Sequence, residues 1–202
     1  MQIDLTVNFL SYWHVGTGLG EGAAHDASVQ KDENGLPYFP GKALKGLLRN
    51  ATQKALQLGW FEQEPSILET IFGTSHLDSQ ENRLTKAGCL YVSSATLNDQ
   101  DAKTLAQPEF AEARNNLYRT LSSTAISEES GTAIDGSLRA MEVTIPLRLH
   151  ASLEIDEQQV DGNAEHIYSV LKESLSLIEN IGAKRSRGLG RVALNMEVRH
   201  AN

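Results

Sequence analysis

Ile3, Leu5, Val7 and Phe9 alternate with polar residues, and the same alternation returns at Val192, Leu194, Met196 and Val198. A period of two turns one face inward, so both segments predict half-buried strands. The longest alternation runs through Val143, Ile145, Leu147, Leu149, Ala151, Leu153 and Ile155. It predicts a strand with an edge or bulge at Pro146, which has no N–H to donate to a ladder. "CLYVSSATL", residues 89–97, predicts one more strand. Two stretches carry the helical period instead. Leu44, Leu47, Leu48 and Ala51 share one face of a helix that Gly59 would stop, and Ile167, Val170, Leu171, Leu175 and Ile178 share another. Between these elements lie a glycine-rich segment from His14 to Gly35, a loop over 71–88 and a polar, weakly periodic segment over 98–140. The last reads as an insertion with a hairpin or an arm. The resulting order, β-α-β-(insertion)-β-α-β, predicts an α+β fold, a ferredoxin-like/RRM-like palm (βαββαβ) with an inserted thumb-like hairpin and loops.

With 202 residues, 40% of them hydrophobic, the chain suits a single domain. Its palm would comprise residues 1–97 and 143–202, and its insertion or thumb 98–142. No apolar run approaches the ~18 residues that a membrane span needs. "MQIDLTVNFL" lacks the basic start of a signal peptide, and the single Cys89 builds neither a disulfide framework nor a thiolate metal site. A cytoplasmic setting is the expectation. The formal net charge of -8 argues against a chain coated in nucleic acid but leaves room for a local groove, because charges beyond about 8–10 Å are screened.

Against that acidity, "IGAKRSRGLGRV" over 181–192 concentrates Lys184, Arg185, Arg187 and Arg191 around Gly182, Gly188 and Gly190. Glycines let a backbone approach a ligand, and guanidinium forks grip phosphate. No Gly-Lys-Ser/Thr ends the stretch, so a Walker-type loop is excluded. A second cationic surface lies on the first helix, where Lys42, Lys45 and Arg49 fall at i, i+3, i+7, within a stripe about 60° wide. No Asp or Glu occurs from Gly41 to Gly59. Bases at a helix N-terminus oppose its dipole, unless an anion sits there. The two surfaces are therefore expected to fold into one trough for a phosphate chain. "VGTGLGEG" has no helix after it and is not a dinucleotide site. His14, His25 and His76 show no metalloprotease spacing and read as surface or satisfied histidines. Asp26, in the glycine- and alanine-rich loop before the basic helix, would face the anion, a place for proton transfer or a bridging cation.

These stretches together resemble a known family. "HVGTG", "HDASVQKDENGLPYFPGKALKGLLRNA", "IFGT", "SGTAIDGSLRAMEV" and "IGAKRSRGLGRV" occur in that order from residue 14 to residue 192. They are similar to the RAMP superfamily, in particular to the repeating guide-RNA-binding backbone subunit of type III (Csm/Cmr-type) CRISPR effector complexes. The resemblance implies a palm that holds the CRISPR RNA (crRNA) backbone through Lys42, Lys45, Arg49, Gly182, Lys184, Arg185, Arg187, Gly188 and Arg191. It implies a thumb near residues 120–142, including Ile126, Ser127, Thr132 and Arg139, that wedges into the guide–target duplex about every sixth base. It implies that Asp26 is catalytic, with Asp32 the competing candidate. The implied chemistry is cleavage of complementary target RNA by 2′-OH attack, with Mg²⁺ or another divalent cation at Asp26. The implied partners are crRNA, target RNA, copies of the chain or paralogous subunits, and other effector subunits. Three rivals stand beside this reading: a non-cleaving scaffold, a guide-processing ribonuclease with a general-base histidine, and a nucleotide-binding metabolic enzyme.

Overall fold

The structure is a computed structural model that describes residues 1–16, 27–61, 66–74, 86–160 and 162–199. Its larger sheet has four antiparallel strands in the order β2 (Leu90–Val92), β5 (Arg148–Ile155), β1 (Gln2–Phe9), β6 (Val192–Val198). Ile3, Leu5, Val7 and Phe9 of β1 and Leu149, Ala151, Leu153 and Ile155 of β5 are buried. They form a single core with α1 (Gly41–Gln57) and α5 (Ala164–Ser174). α1 buries Leu44, Leu48, Ala51, Thr52 and Ala55, and α5 buries Ile167, Val170, Leu171 and Ser174. The alternate residues of β1 and β5, including Asp4, Arg148, His150 and Glu154, leave the other face polar. Short helices α2 (Ile67–Phe72), α3 (Asp99–Leu105) and α4 (Ala111–Asn115) lie on the connections. Apart from these short helices and the hairpin below, the element order is β-α-β-β-α-β.

The start of α1 shows how closely helix and sheet meet. A Cβ on Gly41 would overlap the backbone of Val92 and Ser93, so only glycine lets the helix start against β2. Gly41 N donates to Ser94 Oγ at 3.1 Å, which serves one of the helix's unpaired N–H groups.

The long alternation at 143–155 does not form one strand. β4 (Arg139–Thr144) pairs with β3 (Tyr118–Ser123) in a separate two-stranded sheet, while β5 joins the larger one. The change falls at Pro146, as the missing donor requires. The flanking groups find new partners: Ile145 N donates to Leu117 O at 2.9 Å, and Phe9 N donates to Leu147 O at 2.9 Å. Trp13 stacks on Phe9 with ring centroids 4.2 Å apart, and its Nε1 donates to Ile145 O at 3.1 Å. Trp13 and Thr144 also exchange backbone hydrogen bonds of 3.0 and 2.8 Å. The base of the β3–β4 hairpin is thereby seated on the far end of β1.

Candidate nucleic-acid interface

The basic loop sits at that same end. Ala183 N donates to His14 O at 2.9 Å, and Gly190 N to Tyr12 O at 2.7 Å. Leu189 packs with Met141 and Val143 of β4 and with Ala27. Two glycines are dictated by these contacts: a Cβ on Gly182 would overlap the His14 carbonyl, and one on Gly190 the Ile181 carbonyl. Gly188 faces open space with φ 83° and ends a 3-10 turn over Arg185–Arg187. Lys184, at φ 50°, is the non-glycine residue with positive φ among the described residues. The Lys184, Arg185, Arg187 and Arg191 side chains are all exposed. None of them makes a hydrogen bond or ion pair with a described residue. They form a compact cationic knob, and such a surface attracts phosphates without reading bases.

The expected single trough is not present, and this corrects the sequence reading. Lys45 Nζ donates to Leu90 O at 2.7 Å, and Arg49 donates to Gly73 O at 3.1 Å. Leu90 faces Ile155 at the Gln2 end of β1, whereas the basic loop lies beyond Phe9 and leads into β6. β2 and β6 are also the two opposite edge strands. The seven residue steps from Gln2 to Phe9 and the three strand spacings put these two corners roughly 25 Å apart. Burial lowers the Lys45 pKa, with the nearby Arg49 charge adding to this. Lys45 thus straps α1 to β2, and Arg49 straps it to the end of α2. Lys42 is exposed and engages no described residue.

The hairpin residues do come together. Ile126 bridges Ala133, and Ser127 N donates to Thr132 O at 2.9 Å. Arg139 donates to Gly136 O and Leu138 O at 3.1 and 3.0 Å, folding back on its own turn. Ile126, Ile134 and Leu138 are 57%, 49% and 66% exposed, which makes the tip an apolar wedge that nothing in the described structure covers. β4 continues through Val143 and Thr144, past the expected end of the insertion at residue 142.

Asp26, His25 and His76 lie outside the described residues. The segment that follows Asp26 packs against the base of the hairpin. Ala27 bridges Met141, and Lys31 Nζ pairs with Glu142 Oε1 at 2.7 Å while lying 4.2 Å from the Tyr118 ring centroid. Tyr118 OH donates to Gly35 O at 2.7 Å. Burial raises the Tyr118 pKa, and the charges of Glu142 and Asp32 raise it further. Asp32 caps its own turn, with Oδ1 accepting from Asn34 N and Leu36 N at 2.9 and 2.8 Å. His14 is buried, and its Nδ1 donates to Glu142 O at 2.7 Å, the satisfied histidine expected. Sequence reasoning missed Glu142 and Tyr118. Glu142 occupies a polar position of an alternating run, and no pattern distinguishes it from a solvated one. Among the described residues no three His, Cys, Asp or Glu side chains are grouped to hold a metal ion.

Comparison with known proteins agrees with this architecture. Two solved chains match over 97% of this chain and 97% of their own, each at 12% identity: one from the type III-B Cmr-beta complex bound to cognate target RNA, with a TM-score of 0.66, and one from its apo state, with a TM-score of 0.65. At that identity they establish a shared fold. No curated protein matches the chain. The family model of the RAMP superfamily matches residues 6–193, a span that runs from within β1 through α1, the hairpin and the basic loop to the start of β6, and the chain therefore belongs to the RAMP superfamily.

Proposed function

We propose that this chain is a backbone subunit of a type III CRISPR ribonucleoprotein that binds crRNA and cleaves complementary target RNA. The observation that carries the binding part is the exposed knob of Lys184, Arg185, Arg187 and Arg191, unpartnered among the described residues and seated beside the hairpin base. Family membership and the Cmr-beta fold support the wider role. The knob and Lys42 hold guide phosphates, so binding follows backbone shape rather than sequence. Lys45 and Arg49 leave that list, because both are committed to carbonyls. The apolar tip at Ile126, Ile134 and Leu138 enters the guide–target duplex and unstacks a base step. Copies of the chain or its paralogues repeat along the guide in an open array.

In the cleavage step a target ribose 2′-oxygen attacks its neighbouring phosphorus in line. The 2′-O–P bond forms as the P–O5′ bond breaks, leaving a 2′,3′-cyclic phosphate and a 5′-OH. Asp26 takes up or orients the 2′-OH proton, and solvent protonates the leaving 5′-oxygen. Mg²⁺ is commonly held by one or two carboxylates together with phosphates. Asp26 together with a target phosphate would hold the cation, which when bound would offset charge at the phosphate. Asp26→Ala in the assembled complex tests the step. Cutting opposite this subunit should fall by at least about 100-fold with guide content unchanged. Cutting at the normal rate would leave the subunit a scaffold.

A further inference from the structure

We propose that the groove along the outer edge of β6 holds one unstacked base of single-stranded RNA, next to the phosphates gripped by the basic loop. The inference rests on the reading that this loop binds guide phosphates. The phase of the β1–β6 ladder sets what the edge displays. Leu10 N donates to Arg191 O at 2.8 Å and Arg199 N to Gln2 O at 2.9 Å, with Asn8 opposite Ala193 and Thr6 opposite Asn195. Alternate residues of an antiparallel pair turn both backbone groups to the partner. Ala193 and Asn195 therefore face β1, while Val192, Leu194 and Met196 turn theirs outward.

Val192 and Met196 are engaged from outside the ladder. Val192 N donates to Glu179 O at 2.9 Å, where Asn180 bridges Arg191, and Met196 O accepts from Tyr168 OH at 3.1 Å. Leu194 lies between these two stops, and its outward N–H and C=O meet no described residue. The gap is too short for an added strand, which usually runs about five or six residues. One donor and one acceptor on the same side suit the edge of a base. The groove beside them, between β6 and residues 172–180, has a volume of about 830 Å³, room enough for a nucleotide. Leu10, Leu175, Ile178 and Leu194 line it with apolar surface for the faces of the base, and Arg191 and Lys172 supply positive charge. Arg191 also belongs to the basic loop, so a strand gripped there passes the groove. Glu179, the acid among the lining residues, disfavours a phosphate inside and leaves the interior to an uncharged base.

The test uses the full chain and a single-stranded RNA of about eight nucleotides in which each nucleotide in turn lacks its base. Affinity, its salt dependence and amide exchange at Leu194 and Val198 are measured for wild type and for Ser176→Leu, which enlarges an exposed side chain on the groove wall. One abasic position should weaken wild-type binding about tenfold and leave the salt slope unchanged, since no phosphate is lost. Intact RNA should slow exchange at Leu194, and RNA abasic at that position should not. Val198 does not line the groove, and its exchange should respond to neither RNA. Ser176→Leu should bind about tenfold more weakly and be indifferent to the abasic position. Equal affinity for every abasic RNA, or Leu194 exchange that RNA does not slow, would overturn the proposal. So would an abasic penalty that persists in full in Ser176→Leu. If Ser176→Leu keeps its RNA affinity but loses a neighbouring subunit from the assembled complex, the groove belongs to a protein strand and the proposal is overturned. The salt slope tests the loop reading separately. If Lys184→Ala/Arg185→Ala/Arg187→Ala keeps the wild-type slope, that reading fails, while the abasic and Ser176→Leu results still decide the groove.

Discussion

Lys45 and Lys184 are the same residue type on the same acidic chain, and their neighbours make them opposites. Lys45 gives one of its donors to a backbone carbonyl in a partly dry site, while Lys184 stands exposed on an αL turn. Lys45→Met keeps the packed stem and loses the hydrogen bond. It should destabilise the fold by about 1 kcal/mol in urea titration and leave guide affinity unchanged. Gly190 is a different kind of residue-scale constraint, with φ 72° and the Ile181 carbonyl in the path of any Cβ. Gly190→Ala should cost more than about 2 kcal/mol, read as a lower urea midpoint, because strain and overlap add. The knob was legible in sequence because four bases on glycines stand out in a chain of charge -8. The commitment of Lys45 and Arg49 was not, because a stripe on a helix does not say which carbonyls lie across from it.

Among elements, the hairpin carries most of what the sequence left open. A period of two runs unbroken across residues 143–155, so the change of sheet leaves no trace except Pro146. Burial of Glu142 is equally silent, since it follows from β4 lying between β3 and the segment after Asp26. Tyr118 provides a handle on that packing. Its hydroxyl donates to Gly35 O and must keep its proton to do so. Its folded pKa is raised above the ordinary value of 10.0, so its contribution to stability is complete below about pH 10 and is lost as pH rises through the folded value. Tyr118→Phe should therefore lower stability by about 1 kcal/mol at pH 8 and flatten the decline seen in urea titrations above about pH 10. The tip makes an independent prediction. Its hydrogen bonds run within residues 124–137, as in Ile134 N to Ala125 O at 2.9 Å. Replacing Ile126–Ala133 by a two-residue turn should change stability by less than about 0.5 kcal/mol. Guide content should persist, and regularly spaced target cuts should disappear from a sequencing gel.

For the whole molecule, the strand order places the start of β2 and the start of β6 at opposite corners of the larger sheet, and this geometry decides which cations act together. Periodicity gave the strands and the two long helices, yet register and strand order come from tertiary pairing and determine what lies at each corner. The loop corner gathers the hairpin base, residues 14–16 and 27–31, which meet where Gly16 bridges Val29, and four bases that are unpartnered among the described residues. At the β2 corner Lys45 and Arg49 are turned onto carbonyls. On the proposed reading, RNA is gripped at the loop corner. The direct measurement is the salt dependence of guide-RNA affinity for wild type, for Lys184→Ala/Arg185→Ala/Arg187→Ala and for Lys45→Met/Arg49→Met. Each phosphate contact on a single strand contributes about 0.7 to the log–log slope. The loop triple should be shallower than wild type by about 2, while the helix pair keeps the wild-type slope. An unchanged slope in the triple, or a shallower one in the pair, would mean that the guide is not gripped at the loop corner.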